Sequence, residues 1–351
     1  MSASTCSARP ALRFGVAYDF RNPSGFDGLR DAELYAAVLE QVAWLDGLGF
    51  DQVWLTEHHF VDDGYLPAFV PVAGAIAART RRMRISTDVA LAPFHPPLRL
   101  AEDLAVLDLL SNGRMELGLG MGYAVHEFAA FGMPRAERVS RTEETIALLR
   151  QAWAPGPIRF AGKRFRVDGV EVFPKPVQPG GPPLWLAAQS EAGARRAAAF
   201  GLHLLPQGRR EVVLDPWRAA LAARGEDPAR YRVGLIRAVL VSDDPPRDWA
   251  VFKPSEKYRM EKYTDWAATS PDPVTDFRDP QRIPQQWIIG DVEHCVATLA
   301  DFIRGFGFTD IVTWSAPPGL APARMNASLE RLATQVLPRL RAMEARGELG
   351  R

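Results

Sequence analysis

Two adjacent histidines follow a glutamate at the end of a short apolar segment, in the stretch D-Q-V-W-L-T-E-H-H-F that begins at Asp51. They are His58 and His59, two of only six histidines in the chain, and Glu57 precedes them. Histidine titrates near neutral pH and can donate or accept a proton. Glutamate and histidine are also ligands of zinc. The run therefore predicts either an acid–base group or part of a metal site.

The metal alternative needs ligands from other strands, because metal sites in barrels usually gather them from several. Asp88 and His95 follow the next apolar segment and could join Glu57 and the two histidines. The chain, however, lacks an H-x-H motif on its first strand and a well-placed histidine in its last third. The acid–base interpretation is therefore favoured, and no metal is expected.

Two further stretches suit a ligand. The turn G-L-G-M-G-Y begins at Gly118, and its glycines leave room for a ligand to approach the backbone or simply permit a tight turn. Tyr123 stands where a dinucleotide loop of the form G-x-G-x-x-G requires glycine, so that motif is not met. Ser190 follows an apolar segment and opens a predicted helix, where it can cap the helix or bind a phosphate with the first backbone N–H groups.

These residues all follow apolar segments that alternate with amphipathic ones. The apolar segments predict eight strands at residues 13–19, 51–56, 83–91, 114–120, 183–188, 202–205, 231–242 and 309–314. Helices are predicted between them, for example over residues 31–48 and 137–153. Eight such units predict an α/β fold, a (β/α)8 TIM barrel with its working residues at the C-terminal strand ends. An open doubly wound sheet is the alternative.

Composition is that of a globular protein of one domain. Lys+Arg and Asp+Glu both number 42, so net charge indicates neither nucleic acid nor a membrane surface as a partner. No apolar stretch is long enough to span a bilayer, and two cysteines in 351 residues fit a reducing cytoplasm. We expect a disordered leader at 1–11 and a single domain at 12–351. Insertions are expected at about 156–182 and at 242–284, the second a candidate lid.

Taken in order, these motifs resemble the bacterial-luciferase-like flavin-dependent oxidoreductases. The matching stretches are G-F-D-Q-V-W-L-T-E-H-H-F from Gly49, H-P-P-L-R-L-A-E-D from His95, and D-L-L-S-N-G-R from Asp108. A G-x-G-x-G turn followed by E-F-x-x-F-G completes the set. The match is dense from Phe14 to about Arg150 and faint in the C-terminal third. The resemblance implies a barrel whose C-terminal face holds FMN or, in one branch, the deazaflavin F420.

The resemblance also implies roles for particular residues. By matching position, His58 assists the chemistry between flavin and oxygen, with Glu57 and the second catalytic candidate, His59, beside it. Asp88 and Val89 fall where the family often has a non-proline cis peptide beneath the isoalloxazine ring. The other implied flavin contacts flank the ring or hold the phosphate, and they are Gly120, Met121, Arg141, Ala187, Ala188, Gln189 and Ser190. Luciferase has an arginine where Met121 stands, so Arg138 or Arg141 is expected to meet the phosphate instead.

The implied activity is a monooxygenase reaction. Reduced FMN from a separate reductase reacts with O2 to a flavin C4a-peroxide, which oxygenates a small organic substrate in a site kept dry. The substrate is expected to be apolar because aromatic residues follow several strands. An F420-dependent dehydrogenase on the same fold is the first alternative, and a non-catalytic flavin-binding protein is the second. The resemblance further implies a homodimer.

Overall fold

The computed structural model describes residues 9–207, 210–268 and 287–350. Its strands are β1 Arg13–Tyr18, β2 Gln52–Leu55, β3 Arg84–Thr87, β4 Ala90–Leu91, β5 Leu117–Gly120, β6 Ile158–Ala161, β7 Arg166–Val170, β8 Leu184–Ala188, β9 His203–Pro206, β10 Gly234–Ile236, β11 Ala238–Val241, β12 Trp287–Gly290 and β13 Asp310–Trp314. Its helices are α1 Asp31–Leu48, α2 Phe69–Arg79, α3 Pro97–Ser111, α4 Val125–Ala130, α5 Arg138–Trp153, α6 Glu191–Ala199, α7 Arg210–Ala223, α8 Pro245–Ala268, α9 Val292–Phe306, α10 Asn326–Arg331 and α11 Leu337–Ala345.

Eight parallel strand positions close into a ring. One sheet has the order β10-β13-β1-β2-β3 and a second the order β4-β5-β8-β9. Parallel bridges from Ile85 to Met115 and from Leu204 to Val233 join the two sheets at both seams. The helices lie outside the ring, as right-handed connections between parallel strands require. The predicted TIM barrel is therefore confirmed, and the open sheet is wrong because β13 pairs with β1.

Large apolar side chains fill the barrel interior. Trp54 of β2 and Trp185 of β8 are almost fully buried, and their rings pack edge to face with centroids 6.1 Å apart. Leu205 of β9 and Val312 of β13 complete this layer. Inward-pointing residues of parallel strands pack in layers in this way, so the ring is a packed core and not a pore. Any ligand must bind above it, at the ends of the strands.

The N-terminal end of the barrel is held by buried charges. Glu116 is 2.8 Å from Arg13 Nη1, is paired with Arg84, and accepts a hydrogen bond from the indole of Trp185 at 2.8 Å. Burial opposes ionisation, but the two guanidinium groups outweigh it and lower the pKa of Glu116 to about 2. This network ties three strands together at the end of the barrel that serves stability.

The C-terminal third contains elements that the sequence pattern did not predict. The region 242–284 lacks clear periodicity, yet residues 245–268 form the long helix α8, and 269–286 lie outside the described residues. Strand β12 pairs in parallel with β11 beyond the barrel. Within the other predicted insertion, β6 and β7 form the expected antiparallel hairpin. Most of the leader predicted at 1–11 also lies outside the described residues. No described helix is long and apolar enough to cross a membrane.

Candidate active site at the C-terminal end of the barrel

The barrel brings the predicted site residues to one face. The E-H-H run directly follows β2, Asp88 and Val89 lie between β3 and β4, and Met121 follows β5. Ala187 and Ala188 end β8, and Ser190 caps α6. Because all these strands are parallel, their C-terminal ends lie on the same rim. The sequence therefore located the face correctly, whereas the contacts between side chains come only from the structure.

Glu57 holds two histidines from different parts of the chain. Its Oε1 lies 2.9 Å from Nε2 of His59 and 2.8 Å from Nε2 of His95, and its Oε2 accepts the backbone N–H of Leu91 at 2.7 Å. Burial favours the neutral carboxyl, but His95, His59 and Leu91 outweigh it and lower the pKa of Glu57 to about 2. Burial also disfavours a charged His95, yet the adjacent carboxylate raises its pKa. Glu57 is thus an ionised anchor for two imidazoles.

His58 is held by a carboxylate that sequence reasoning assigned no role. Glu127 of α4 is fully buried, and its Oε1 lies 2.8 Å from Nδ1 of His58. The same oxygen accepts the backbone N–H of His59 at 2.8 Å. With Nδ1 bound in this way, the other ring nitrogen of His58 is the one left to exchange a proton with a ligand. The E-F-x-x-F-G motif contains Glu127, and an acid at that position was the available signal.

Aromatic rings enclose His58. Its ring centroid is 4.9 Å from that of Tyr65, 5.6 Å from that of Tyr123 and 4.7 Å from that of Trp266. His58 itself is only 7% exposed. Tyr65 also forms a hydroxyl contact of 3.0 Å with Tyr263, which neighbours Trp266 on α8. The imidazole therefore lies in an aromatic enclosure, defined by Tyr65, Tyr123, Tyr263 and Trp266, that shields it from water.

Helix α8 is attached to the barrel by polar contacts. Arg259 Nε lies 3.1 Å from Oδ2 of Asp19, the residue that follows β1. The Tyr258 hydroxyl donates to Oδ2 of Asp63 at 3.0 Å. Because both carboxylates lie in loops after strands, this helix covers the same face as the histidines. The prediction that region 242–284 acts as a lid stays a prediction.

The backbone between β3 and β4 has the geometry that the resemblance implied. The peptide bond between Asp88 and Val89 is cis. Nε2 of Gln207, which follows β9, donates to Oδ1 of Asp88 at 3.1 Å. Burial raises the pKa of the Asp88 carboxyl to about 7, although the Gln207 hydrogen bond acts in the opposite direction. This carboxyl therefore titrates near neutrality.

The glycines of β5 are required by neighbouring protein atoms. A Cβ on Gly118 would lie 2.0 Å from the carbonyl oxygen of Thr87, and one on Gly120 would lie 2.3 Å from Cγ2 of Val89. Side chains are excluded at both positions, so β5 packs tightly against the segment that contains the cis peptide. The protein's own packing within the strand thus requires glycine at these two positions. A contact between a ligand and Gly120 or Met121 stays a prediction.

The N-terminus of helix α6 lies at the predicted phosphate position, but the arginine predicted there is paired with another side chain. The Ser190 hydroxyl accepts the N–H of Gly193 at 3.3 Å, as an N-cap does, and Ser190 and Gln189 are exposed. Nε of Arg141 lies 3.0 Å from a carboxylate oxygen of Glu137, and its guanidinium stacks on a phenylalanine ring. The serine is thus exposed to an anion, whereas the Nε group of Arg141 is already bound to Glu137. The alternative, Arg138, is the first residue of the same helix α5.

The side chains on the rim suit an aromatic coenzyme that carries a phosphate better than a metal ion. Within residues 9–207, 210–268 and 287–350, no group of three or more His, Cys, Asp or Glu side chains could hold a metal ion. The oriented imidazole, the aromatic enclosure and the free N-terminus of α6 are all on the rim. An aromatic coenzyme that carries a phosphate needs these features.

A family model described as luciferase-like monooxygenase matches residues 12–310. The chain belongs to this family. An F420-dependent glucose-6-phosphate dehydrogenase from Beutenbergia cavernae is 30% identical over 346 residues, which are 90% of this chain and 94% of that protein. The oxygenase component of a flavin-dependent trigonelline monooxygenase from Acinetobacter baylyi is 25% identical over 350 residues, or 93% and 95% of the two chains.

The fold has close counterparts among solved structures. Monooxygenase RslO1 from Streptomyces bottropensis superposes with a TM-score of 0.84 at 24% sequence identity, over 94% of this chain and all of that chain. Other structures of this fold contain FMN or an F420 adduct. The luciferase-like barrel is therefore confirmed, and the chain is a member of a family of flavin- and deazaflavin-dependent oxidoreductases.

Proposed function

We propose that this protein is the oxygenase component of a two-component monooxygenase that uses reduced FMN and O2. The observation that supports this best is the contact of 2.8 Å between His58 and the buried Glu127 inside an aromatic enclosure. Such an arrangement is an oriented proton donor and acceptor from which water is excluded. Oxygenation needs both properties, because free access of water and protons diverts the reaction to hydrogen peroxide.

The residues of the chain have separable roles in this proposal. Glu127 holds the His58 ring in place, because a hydrogen bond to a carboxylate is stronger than one to a neutral acceptor. The second ring nitrogen of His58 donates a proton to the bound reactants or accepts one from them. The aromatic enclosure excludes water. Glu57 keeps the His59 and His95 rings in place. The bound flavin supplies the redox chemistry with oxygen.

Binding of the coenzyme is assigned to the rest of the rim. In the proposal, residues 88 and 89 lie against the flavin ring and residues 120 and 121 flank it, while residues 187–189 line its edge. The first turn of α6 and the Ser190 hydroxyl bind the phosphate. Arg141 or Arg138 adds a positive charge if its present contacts open.

Partners follow from the same proposal. A separate reductase supplies the reduced FMN, as the designation "oxygenase component" indicates for the Acinetobacter relative. The substrate is a small, apolar organic molecule, and the site of action is the cytoplasm. A homodimer is proposed, and the exposed apolar residues of α3, Val106, Leu109 and Leu110, offer a surface for it.

The proposal is tested with reduced FMN, oxygen and candidate substrates. The wild-type protein should form an oxygenated product only when all three are present, and the His58→Ala protein should lose product formation while it still binds FMN. Undiminished turnover by His58→Ala would show that the imidazole has no catalytic role. Tight binding of oxidised flavin with no oxygen-dependent reaction would favour a non-catalytic flavin-binding protein.

An F420-dependent dehydrogenase is the second candidate. The 30% identity to an F420-dependent dehydrogenase over nearly the whole chain favours it. Binding titrations with FMN and with F420 separate the two candidates, since the monooxygenase proposal requires FMN binding. Binding of F420 alone, with hydride transfer under anaerobic conditions, would replace the first candidate with the second.

A further inference from the structure

The Asp88 carboxyl lies apart from the histidines and is held from across the barrel. Asp88 follows β3, the third strand of the ring, whereas its partner Gln207 follows β9, the sixth. The backbone of Gln207 is fixed in turn, because its N–H donates to the carbonyl of Ala188 at 2.8 Å. Two side chains from such distant strands can meet only if both extend over the centre of the ring. The carboxyl therefore lies at the middle of the mouth, above the apolar layer that includes Leu205 and Val89.

No cation compensates this carboxyl among the residues that the structure describes. Its side-chain partner is the neutral amide of Gln207, which donates to Oδ1 at 3.1 Å. Glu116 at the opposite end of the barrel is fully buried, and two arginines keep it ionised. Glu57, on the neighbouring strand end, is kept ionised by two histidines. Asp88 thus differs from Glu116 and Glu57, because burial raises the pKa of its carboxyl and no described cation opposes that shift.

The ionisable groups nearest in the fold are engaged elsewhere. On the β2 side, Glu57 is bound to His59 and His95, and His58 to Glu127. Residues 187–190 at the end of β8 carry no charge. After β5 the closest ionisable side chain is Tyr123, whose pKa burial raises well above its ordinary value. Within residues 9–207, 210–268 and 287–350, the influences on the pKa of the Asp88 carboxyl are therefore burial and the Gln207 hydrogen bond.

We propose that Asp88 is a second proton donor of this site, independent of the glutamate–histidine network, and that Gln207 is its positioning residue. The ligand that it takes carries a hydrogen-bond acceptor, a carbonyl oxygen or a ring nitrogen, at the centre of the mouth. In the neutral form the carboxyl donates its O–H to that acceptor. When the proton transfers, the acceptor gains it, the carboxylate keeps the Gln207 hydrogen bond, and solvent returns the proton on ligand release. The acceptor belongs either to the coenzyme of the proposed function or to the substrate.

The protonation state is tested first, on the ligand-free protein. Infrared difference spectra between wild type and Asp88→Asn should contain the C=O stretch of a neutral carboxyl at pH 6, and this band should disappear near pH 7. Because the Gln207 amide stabilises the carboxylate, Gln207→Leu should move the disappearance to higher pH. Asp168→Asn replaces an exposed aspartate of the β6–β7 hairpin and is the matched control. It should leave the C=O band of the neutral carboxyl unchanged. Absence of a neutral carboxyl band at pH 6 would overturn the proposal, and this result does not depend on the coenzyme or the reaction.

The ligand is tested next, with oxidised FMN and oxidised F420 as probes. If the acceptor is on the coenzyme, wild-type affinity should fall about tenfold between pH 6 and pH 8, because only the neutral carboxyl donates. Asp88→Asn keeps an N–H donor and cannot ionise, so its affinity should not change over this range. If the acceptor is on the substrate, wild type and Asp88→Asn should bind the coenzyme equally well at each pH. Only the KM for the substrate should then depend on pH differently in the two proteins. Identical profiles in both measurements would refute the role of Asp88, whereas a neutral carboxyl band without oxygen-dependent product would refute only the proposed function.

Discussion

Replacement of Glu127 by glutamine tests the central contact of the site with little steric change. Oε1 of Glu127 accepts both the His58 ring and the His59 backbone N–H at 2.8 Å. Oε2 is buried and has no hydrogen-bond partner among the described residues. The amide oxygen of glutamine can therefore take the place of Oε1 and its NH2 group that of Oε2. The substitution removes the negative charge and keeps the shape and one acceptor.

The expected effect follows from the strength of the hydrogen bond. A bond to a charged partner contributes about 1.5–3 kcal/mol, and a neutral one about 0.5–1.5 kcal/mol. The hydrogen bond that holds the His58 ring is thus weaker by about 1–2 kcal/mol in Glu127→Gln. Each 1.36 kcal/mol corresponds to a factor of ten in rate. We expect the step that uses the proton of His58 to slow by about 5- to 30-fold. Glu127→Ala should slow it further, because the ring nitrogen and a buried N–H then lose their acceptor.

The assay mixes enzyme and reduced FMN under anaerobic conditions with oxygenated buffer and substrate. Flavin absorbance and product are followed together, and FMN affinity is measured separately. Glu102→Gln, an exposed position on α3, is the matched control and should react as the wild type does. Circular dichroism checks that both variants are folded.

Two results would refute this reasoning. If Glu127→Gln reacts at the wild-type rate while His58→Ala is inactive, the carboxylate does not support the imidazole in the reaction. Loss of FMN binding in Glu127→Gln would mean that the charge serves the coenzyme site and not the orientation of the ring.

Three further substitutions have expected outcomes. Because the pKa of Asp88 is raised from 3.8 to about 7 in the folded protein, ionisation of this carboxyl makes the wild-type fold less stable as the pH rises. Asp88→Asn removes this penalty, so it should raise the free energy of unfolding, measured with urea, by at most about 4 kcal/mol at pH 8 and by less at pH 5. An equal effect at both pH values would contradict this. Ser190→Ala should weaken binding of FMN more than that of riboflavin, which lacks the phosphate, and equal losses would exclude a phosphate contact. Trp266→Ala opens the enclosure of His58 to water, so more hydrogen peroxide should form per FMN oxidised, and an unchanged yield would show that this ring does not exclude water.

The sequence predicted the architecture and the face of the site because both depend on local patterns. Alternating apolar segments and helices identify parallel strands, and residues directly after a strand must lie at its C-terminal end. The position of His58 and Glu57 on the rim and the helix cap at Ser190 follow in this way, whereas the place of the cis peptide was implied by the family resemblance. The matched motifs extend the same reasoning to the coenzyme class.

The sequence pattern did not predict the contacts that bring together distant segments. Helix α8 has weak apolar periodicity because it meets the barrel through ion pairs and aromatic rings, so its pattern resembles that of a loop. Gln207 and Asp88 are 119 positions apart, and Glu127 and His58 are 69 apart. No local spacing links such pairs.

By itself, then, the chain's order of residue types determined the eight-unit barrel, the rim on which the predicted site residues lie and the family to which the protein belongs. Closure of the ring decided which carboxylate holds which histidine, and it left Asp88 without a cation among the residues that the structure describes. The physical reason is that hydrogen bonds and pKa values depend on distances and burial in space, which arise only when the strands have met.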